Sequence, residues 1–234
     1  MKIGIFSIDS FSAGKENIVD QRIDQLKGIA RSAKKVYIQV EIVTDPGKLR
    51  ECDGVISLKN KQADLILGDL DFTEKRISNT EDESEKALLN RFKEQLEGER
   101  FISELDLSEE ENRMVSGYSF LTIKPIFLIE PQELEDQHKV LASAYANFGY
   151  IAFFTAGEKE ARAWSIKKGM TCWQASGSIH SAIQKGFIRG EVISFNDLIN
   201  DGSVNQARTN NHMRLEGKEY IVQDGDLINF RFNK

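Results

Sequence analysis

A glycine followed by a lysine, shortly after a first apolar strand, is the pair from which a phosphate site can be built. Lys2–Ser7 reads as a buried strand, and the next segment is Asp9-Ser-Phe-Ser-Ala-Gly14-Lys15-Glu16. In a loop of the form Gly-x4-Gly-Lys-Ser/Thr, the glycines let backbone N–H groups close around phosphates. The lysine meets the terminal phosphate charge and the hydroxyl holds Mg²⁺. Gly14 and Lys15 keep two of these positions, so they are the candidate contacts for ATP or GTP with Mg²⁺. Asp9 stands where the first glycine belongs, and Glu16 replaces the hydroxyl. At about 4 Å and an effective dielectric near 20, each carboxylate opposes a phosphate by about 4 kcal/mol. That offsets most of what such a loop supplies, and the pair reads first as an ordinary loop.

A second set of candidates is basic and lies in the last third: Arg162, Lys167, Lys168, Lys185, Arg189, Arg208, Arg214 and Lys218, with His180. Together they could form a face that tracks RNA phosphates, although surface basic residues are usually just solvated. His180 falls at the end of a predicted helix, where the macrodipole favours it. Trp164 and Trp173 could stack on bases, but Trp164 alternates within a predicted strand and is expected in a core. The two cysteines, Cys52 and Cys172, fall in different predicted domains. With only His138, His180 and His212 besides, neither a disulfide framework nor a metal cluster is expected. No Ser/His/Asp or Cys/His set has local support, so no catalytic residue is assigned.

The chain has 234 residues, enough for one large domain or two small ones, with 40% hydrophobic and 29% charged residues. No apolar run approaches membrane-spanning length. The first residues turn polar too quickly for a secretory signal. A reduced, cytosolic protein is expected. The net charge of −6 is uneven: residues 151–234 carry 11 Lys/Arg against 9 Asp/Glu, whereas residues 1–150 carry 20 against 28. The whole chain is not a nucleic-acid-binding polycation, but its end could present a local positive face.

The elements that must position these residues follow from periodicity. Asn17 can cap a helix to about Ala30, with Val19, Ile23 and Leu26 on one face. Val36–Val43 alternates as a strand, Asp45-Pro46-Gly47 turns, and Gly54–Leu58 is a further strand. Lys61–Ile77 and Glu85–Leu96 read as an antiparallel helical hairpin. Ser108-Glu-Glu-Glu111 is a capping box. Ile126–Ile129 is a strand, and Pro131 suits the first turn of a helix that Gly149 closes. The boundary is therefore expected near Gly149, giving domains 1–149 (helical arm about 61–118) and 150–234. After it come a hairpin around Gly157, a helix from Thr171 to Ser178, a strand over Gly186–Ser194 and a second short helix or turn at Asn196. A second hairpin, Leu215 to Asn233, turns at Asp224-Gly225-Asp226.

The motifs Phe153-Phe-Thr-Ala-Gly, Arg162-Ala-Trp, Gln174-Ala, Ile179-His180, Gly186-Phe-Ile-Arg, Arg214-Leu-Glu-Gly-Lys and Gln223-Asp-Gly-Asp stand in order. Together they resemble the carboxy-terminal TGS domain of the YchF, or Obg-like ATPase, family. Ala182 departs from the acidic residue that the family usually has there. Ile66-Leu-Gly-Asp-Leu-Asp-Phe-Thr-Glu-Lys-Arg is similar to the family's entry into its coiled-coil arm, and Leu121-Thr-Ile-Lys-Pro125 to the stretch after it. The resemblance implies a fold of mixed α/β and α+β class: a reduced P-loop-type α/β domain with a helical-hairpin insertion, then a ubiquitin-like β-grasp domain. It also implies contact with ribosomes or structured RNA.

The family's nucleotide elements depart together. Where an Asp-x-x-Gly turn is expected, this chain has Thr44-Asp-Pro-Gly47. Only Lys48–Cys52 then precede the next strand, too few for a mobile switch and its helix. The base-reading Asn-x-x-Glu falls on Pro131-Gln-Glu-Leu134. The expectation is a catalytically silent, YchF-like protein that binds ribosome or RNA. The alternatives are a nucleotide hydrolase with an altered pocket around Gly14 and Lys15, and a protein-interaction module.

Overall fold

A computed structural model describes residues 1–233. The strands are β1 (Lys2–Phe6), β2 (Gly14–Ile18), β3 (Lys34–Val36), β4 (Ile38–Val43), β5 (Gly54–Leu58), β6 (Ile126–Ile129), β7 (Tyr150–Ala156), β8 (Glu160–Lys167), β9 (Phe187–Ile193), β10 (Arg214–Glu216) and β11 (Leu227–Phe232). The helices are α1 (Arg22–Ala30), α2 (Gln62–Asn79), α3 (Glu83–Glu97), α4 (Glu109–Val115), α5 (Gln137–Asn147), α6 (Cys172–Ile179), α7 (Ser181–Lys185), α8 (Phe195–Asp201) and α9 (Val204–Thr209). The chain divides into two units, one of residues 1–16 with 40–140, the other of residues 17–39 with Leu141 onward. Residues 17–39, which the sequence alone would leave in a first domain, thus fold with the carboxy-terminal unit.

The first unit is built on a five-stranded sheet of order β2-β4-β1-β5-β6. β1 runs parallel to β4 and to β5, with Ile3 opposite Ile42 and Ile5 opposite Ile56, and β5 runs parallel to β6. Ile3, Ile5, Val55 and Ile56 are buried, the continuous apolar pattern of strands covered on both faces. A Cβ at Gly4 would sit 3.0 Å from Leu49 Cδ2, so the missing side chain is what lets the Pro46–Glu51 turn pack on β1.

The helical hairpin is present and antiparallel. Gln62 Nε2 donates to Glu99 O at one end, and Arg76 pairs with Glu85 at the other. Leu88, Phe92 and Leu96, spaced by one turn, point into a cluster with Leu65, Ile66 and Phe120. Buried Asp69 accepts hydrogen bonds from the backbone N–H groups of Leu121 and Thr122 and from the Thr122 hydroxyl, which straps the returning chain to the arm. α4 opens on the Ser108–Glu111 capping box that the spacing predicts. The helix expected from Pro131 is interrupted: Pro131–Glu135 is a 3-10 turn, and α5 begins only at Gln137.

The second unit carries a six-stranded sheet of order β10-β9-β11-β7-β8-β3. β7 and β8 form the expected hairpin, with Phe153 opposite Trp164. β11 lies between β7, to which it is parallel, and β9, to which it is antiparallel. One face buries Phe153, Ile166, Phe187, Val192, Ile228 and Phe230 with Cys172 and Ala175 of α6. α1 packs on β7 and β8, with Ile23 and Leu26 buried and the Arg22 guanidinium 5.3 Å from the centre of the Phe154 ring.

Three further expectations are corrected. The helix read from Asn17 starts at Arg22, because Gly14–Ile18 is an edge strand whose polar residues show no strand periodicity. The strand read over Val36–Val43 is two strands that break at Tyr37 and join different sheets. The second hairpin does not form. Its turn exists, with Gly225 at φ +90° and Asp226 N donating to Gln223 O at 3.2 Å. However, β10 pairs with β9, and both edges of β11 are taken by β7 and β9.

Two measurements test this packing. Glu85 is buried, and its carboxyl is held down to about 2 by the Arg76 hydrogen bond first, then by those from Thr80 and Tyr118. A depressed carboxylate stabilises the fold above its unfolded value, near 4.5, and that stability is lost as pH falls toward 2. Glu85→Gln is expected to lower unfolding free energy by about 1–3 kcal/mol at neutral pH and to flatten the acid loss in that window, read by urea titration at stepped pH. Phe153 is fully buried, and Phe153→Ala is expected to remove about 3–5 kcal/mol from the carboxy-terminal unit in the same assay.

Candidate functional site

The residues that could meet phosphate stand as follows. An exposed Ser7 with φ +55° follows β1, and the chain then buries Ile8 and Phe11 while Asp9 and Ser10 face solvent. Gly14, at φ +142°, opens β2, and Lys15 and Glu16 are exposed on that strand. The first helix after β1 begins at Arg22, beyond the whole of β2. Asp45 accepts from Gly47 N at 3.0 Å and so caps the Pro46–Glu51 turn. In the Pro131 segment, Glu133 accepts from Glu130 N at 2.7 Å, and Lys59 pairs with Glu130 at 2.9 Å. These side chains terminate turns and pair with one another.

The basic residues of the second unit separate into two groups. Arg162, Lys167 and Arg214 are engaged within the protein. The Arg162 guanidinium lies 5.0 Å from the Trp164 ring centre, and its Nε is 2.9 Å from Glu160 Oε1 but out of line for a hydrogen bond. Lys167 Nζ sits 3.8 Å from the centre of the Tyr150 ring and donates to Phe148 O. Arg214 donates to the Tyr220 hydroxyl at 2.9 Å, and its other contacts are carboxylates, Glu216 at 3.8 Å and Asp226 at 3.7 Å. His180 is the cap of α7: its Nδ1 accepts from Ala182 N at 3.0 Å. Lys168, Lys185, Arg189, Arg208 and Lys218 form no ion pair among the described residues. Three of the set are thus committed to contacts within the protein.

Three features complete the picture, of which only Trp173 was readable from sequence, as a residue that could stack on bases. Arg231 on β11 stands directly opposite Arg189 on β9, a like-charge pair that disfavours the sheet unless something neutralises it. Glu191 does so in part, pairing with Arg231 at 2.8 Å. Trp173 is 40% exposed. A cavity of about 840 Å³ is lined by Tyr145, Tyr150, Ile151 and Ile221 together with the ion network in which Arg22 bridges Asp20 and Asp224, both at 2.7 Å. An alternation of hydrophobic and charged residues signals a strand face, but the pairing of Arg189 with Arg231 depends on register across 42 residues. Cys172 lies in the core, where burial pushes its thiol up to about 12, so it is no nucleophile at neutral pH.

Comparison with known proteins supplies the family. Residues 150–233 match the family described as YchF-GTPase_C, a protein of unknown function (DUF933). A ribosome-binding ATPase YchF of Escherichia coli O157:H7 is 31% identical over 254 residues, which covers 82% of this chain and 69% of that relative. The protein of the same name from Mycoplasma genitalium is 34% identical over 232 residues, covering 92% of this chain and 62% of its own length. Among solved structures, that of the Schizosaccharomyces pombe YchF GTPase superposes with a TM-score of 0.77 at 16% identity, covering 99% of this chain and 97% of that one. At that identity the structural likeness speaks for the fold, while the sequence matches carry the kinship: the chain belongs to the YchF family.

Proposed function

We propose that this chain is a shortened YchF-family protein that acts by binding rather than by hydrolysing nucleotide, and that its carboxy-terminal TGS domain, a β-grasp module over 150–234, engages the ribosome or structured RNA. The observation that carries the first part is the course of the chain after β1. A phosphate loop works because several N–H groups converge at the start of a helix. Here Gly14 and Lys15 lie on an exposed edge strand, and the next helix along the chain starts only at Arg22. Asp9 and Glu16 add charge of the wrong sign for a triphosphate. The residues present therefore do not fit ATP or GTP with Mg²⁺, and no hydrolytic step is derived through them. The alignment to the E. coli relative spans 254 positions while using 82% of this chain, so the chain lacks internal segments which that relative has.

The second part rests on kinship and on charge. The relatives are named ribosome-binding ATPases, and the carboxy-terminal stretch carries the chain's basic excess. β7, β8, α6, β9 and β11 follow in the strand, strand, helix, strand, strand order of a β-grasp sheet crossed by one helix. No described helix is long and apolar enough to cross a membrane. A ribosomal partner would place the protein in the cytoplasm.

Two titrations test this reading. Calorimetry with ATP and with GTP plus Mg²⁺ should show no saturable binding up to about 1 mM, the upper end of ordinary enzyme sites. Micromolar affinity abolished by Lys15→Ala would reinstate the hydrolase. Co-sedimentation with ribosomes should be detectable at low salt and fall about ten-fold or more between 50 and 200 mM salt, because phosphate contacts release counterions. A salt-insensitive complex with a protein would favour an interaction module instead.

A further inference from the structure

The second residue of α6 has a large aromatic side chain that the fold leaves open. Trp173 is 40% exposed, although Cys172 and Ala175 on the same helix are fully buried. The indole is nevertheless held in place. Its Nε1 donates to Gln184 O at 3.1 Å, and Gln184 Nε2 donates back to Trp173 O at 3.4 Å. Trp173 N donates to Lys218 O at 3.3 Å. Thr171 caps the helix by accepting from Gln174 N. Little side-chain freedom remains for the ring to lose on binding.

The same bonds determine what surrounds the ring. Lys218 is tied to Trp173 through its carbonyl, and Lys185 follows the residue that holds the indole nitrogen. Both lysines are exposed, and neither forms an ion pair among the described residues. Glu219 adjoins Lys218 and also forms no ion pair among the described residues, so these three residues together carry one positive charge in excess. An immobilised aromatic face next to unpaired cations suits a base and its phosphates. The residues hydrogen-bonded to Trp173 are lysine, glutamine and serine, unlike the contiguous apolar patch that commonly marks a protein interface.

We propose that Trp173 is a stacking platform for an unpaired RNA base, with Lys185 and Lys218 meeting the adjoining phosphates. Stacking tolerates any base because each has a π-face. Duplex RNA hides those faces, so the ligand is single-stranded RNA: a loop, a bulge or an end. The proposal deepens the ribosome reading and rests on it only for the source of the RNA.

The test uses the full chain, a short dye-labelled single-stranded oligouridylate and a duplex RNA of equal length, at low salt. Anisotropy should show the single strand bound more tightly than the duplex. Trp173→Ala should weaken single-strand binding about ten-fold, while Trp173→Phe keeps most of it. In a Trp164→Phe background, the single strand should quench the remaining tryptophan emission. Equal binding by Trp173→Ala and the native chain, or no binding of the single strand at all, would overturn the proposal. If ribosome co-sedimentation persists in either of those cases, the ribosome reading stands without this contact. If co-sedimentation fails but the oligouridylate still quenches Trp173, the stacking site stands and the ribosome reading falls.

Discussion

The carboxylate of Asp226 organises the carboxy-terminal unit. It is 2% exposed and accepts hydrogen bonds from Gln223 N at 2.9 Å and from the Tyr220 hydroxyl at 2.8 Å. Burial raises its pKa, against the opposing pull of those hydrogen bonds and of Arg214. Burial, reinforced by the neighbouring carboxylate, pushes the Tyr220 hydroxyl up to about 12, so it stays a donor across the neutral range. Much of the unit hangs on this closed loop. Asp226 O accepts from Phe154 N, and Gly225 N donates to Ala152 O, which seats β11 against β7. Cys172 N donates to Tyr220 O, and Val222 N donates to Met170 O, which seats the start of α6. One buried charge thus sets both the central strand and the helix on which Trp173 stands.

The first unit has a different constraint. β1 is bonded on both sides, by β4 and β5, so the chain leaving it cannot add a neighbour there and must travel to the sheet edge. It becomes β2, the outermost strand. Exposed edges invite pairing with other chains and are commonly guarded by charge. Lys15 and Glu16 on β2 have a sufficient reason in that role, and Gly14 has one in the positive φ with which the strand begins.

What the sequence revealed follows from where the physics is local. Ile38, Val40 and Ile42 alternate because β4 has a buried face, and Leu88, Phe92 and Leu96 repeat at one turn because α3 has a buried stripe. Ser108 and Thr171 announce helix starts through bonds made within a few residues. What stayed hidden depends on distant partners. Gly-Lys-Glu-Asn in β2 carries no periodicity because an edge strand need bury little. The Asp-Gly turn signalled a hairpin, but its following strand went to β7 and β9 under the direction of Asp226. Of the basic residues, sequence could name the charges but not their partners: Arg162, Lys167 and Arg214 proved to be occupied, and Trp173 proved to be open.

The carboxy-terminal unit is discontinuous in sequence, since α1 packs on β7 and β8, and β3 pairs with the edge of β8. During synthesis, residues 17–39 leave the translating ribosome well before the hairpin that receives them. At ordinary elongation rates that wait is roughly ten seconds, and Ile23 and Leu26 then have no place to bury. A gene fusion cut at Tyr150 would leave Phe154 without α1 and the β8 edge bare, so the module cannot be moved as one uninterrupted cassette.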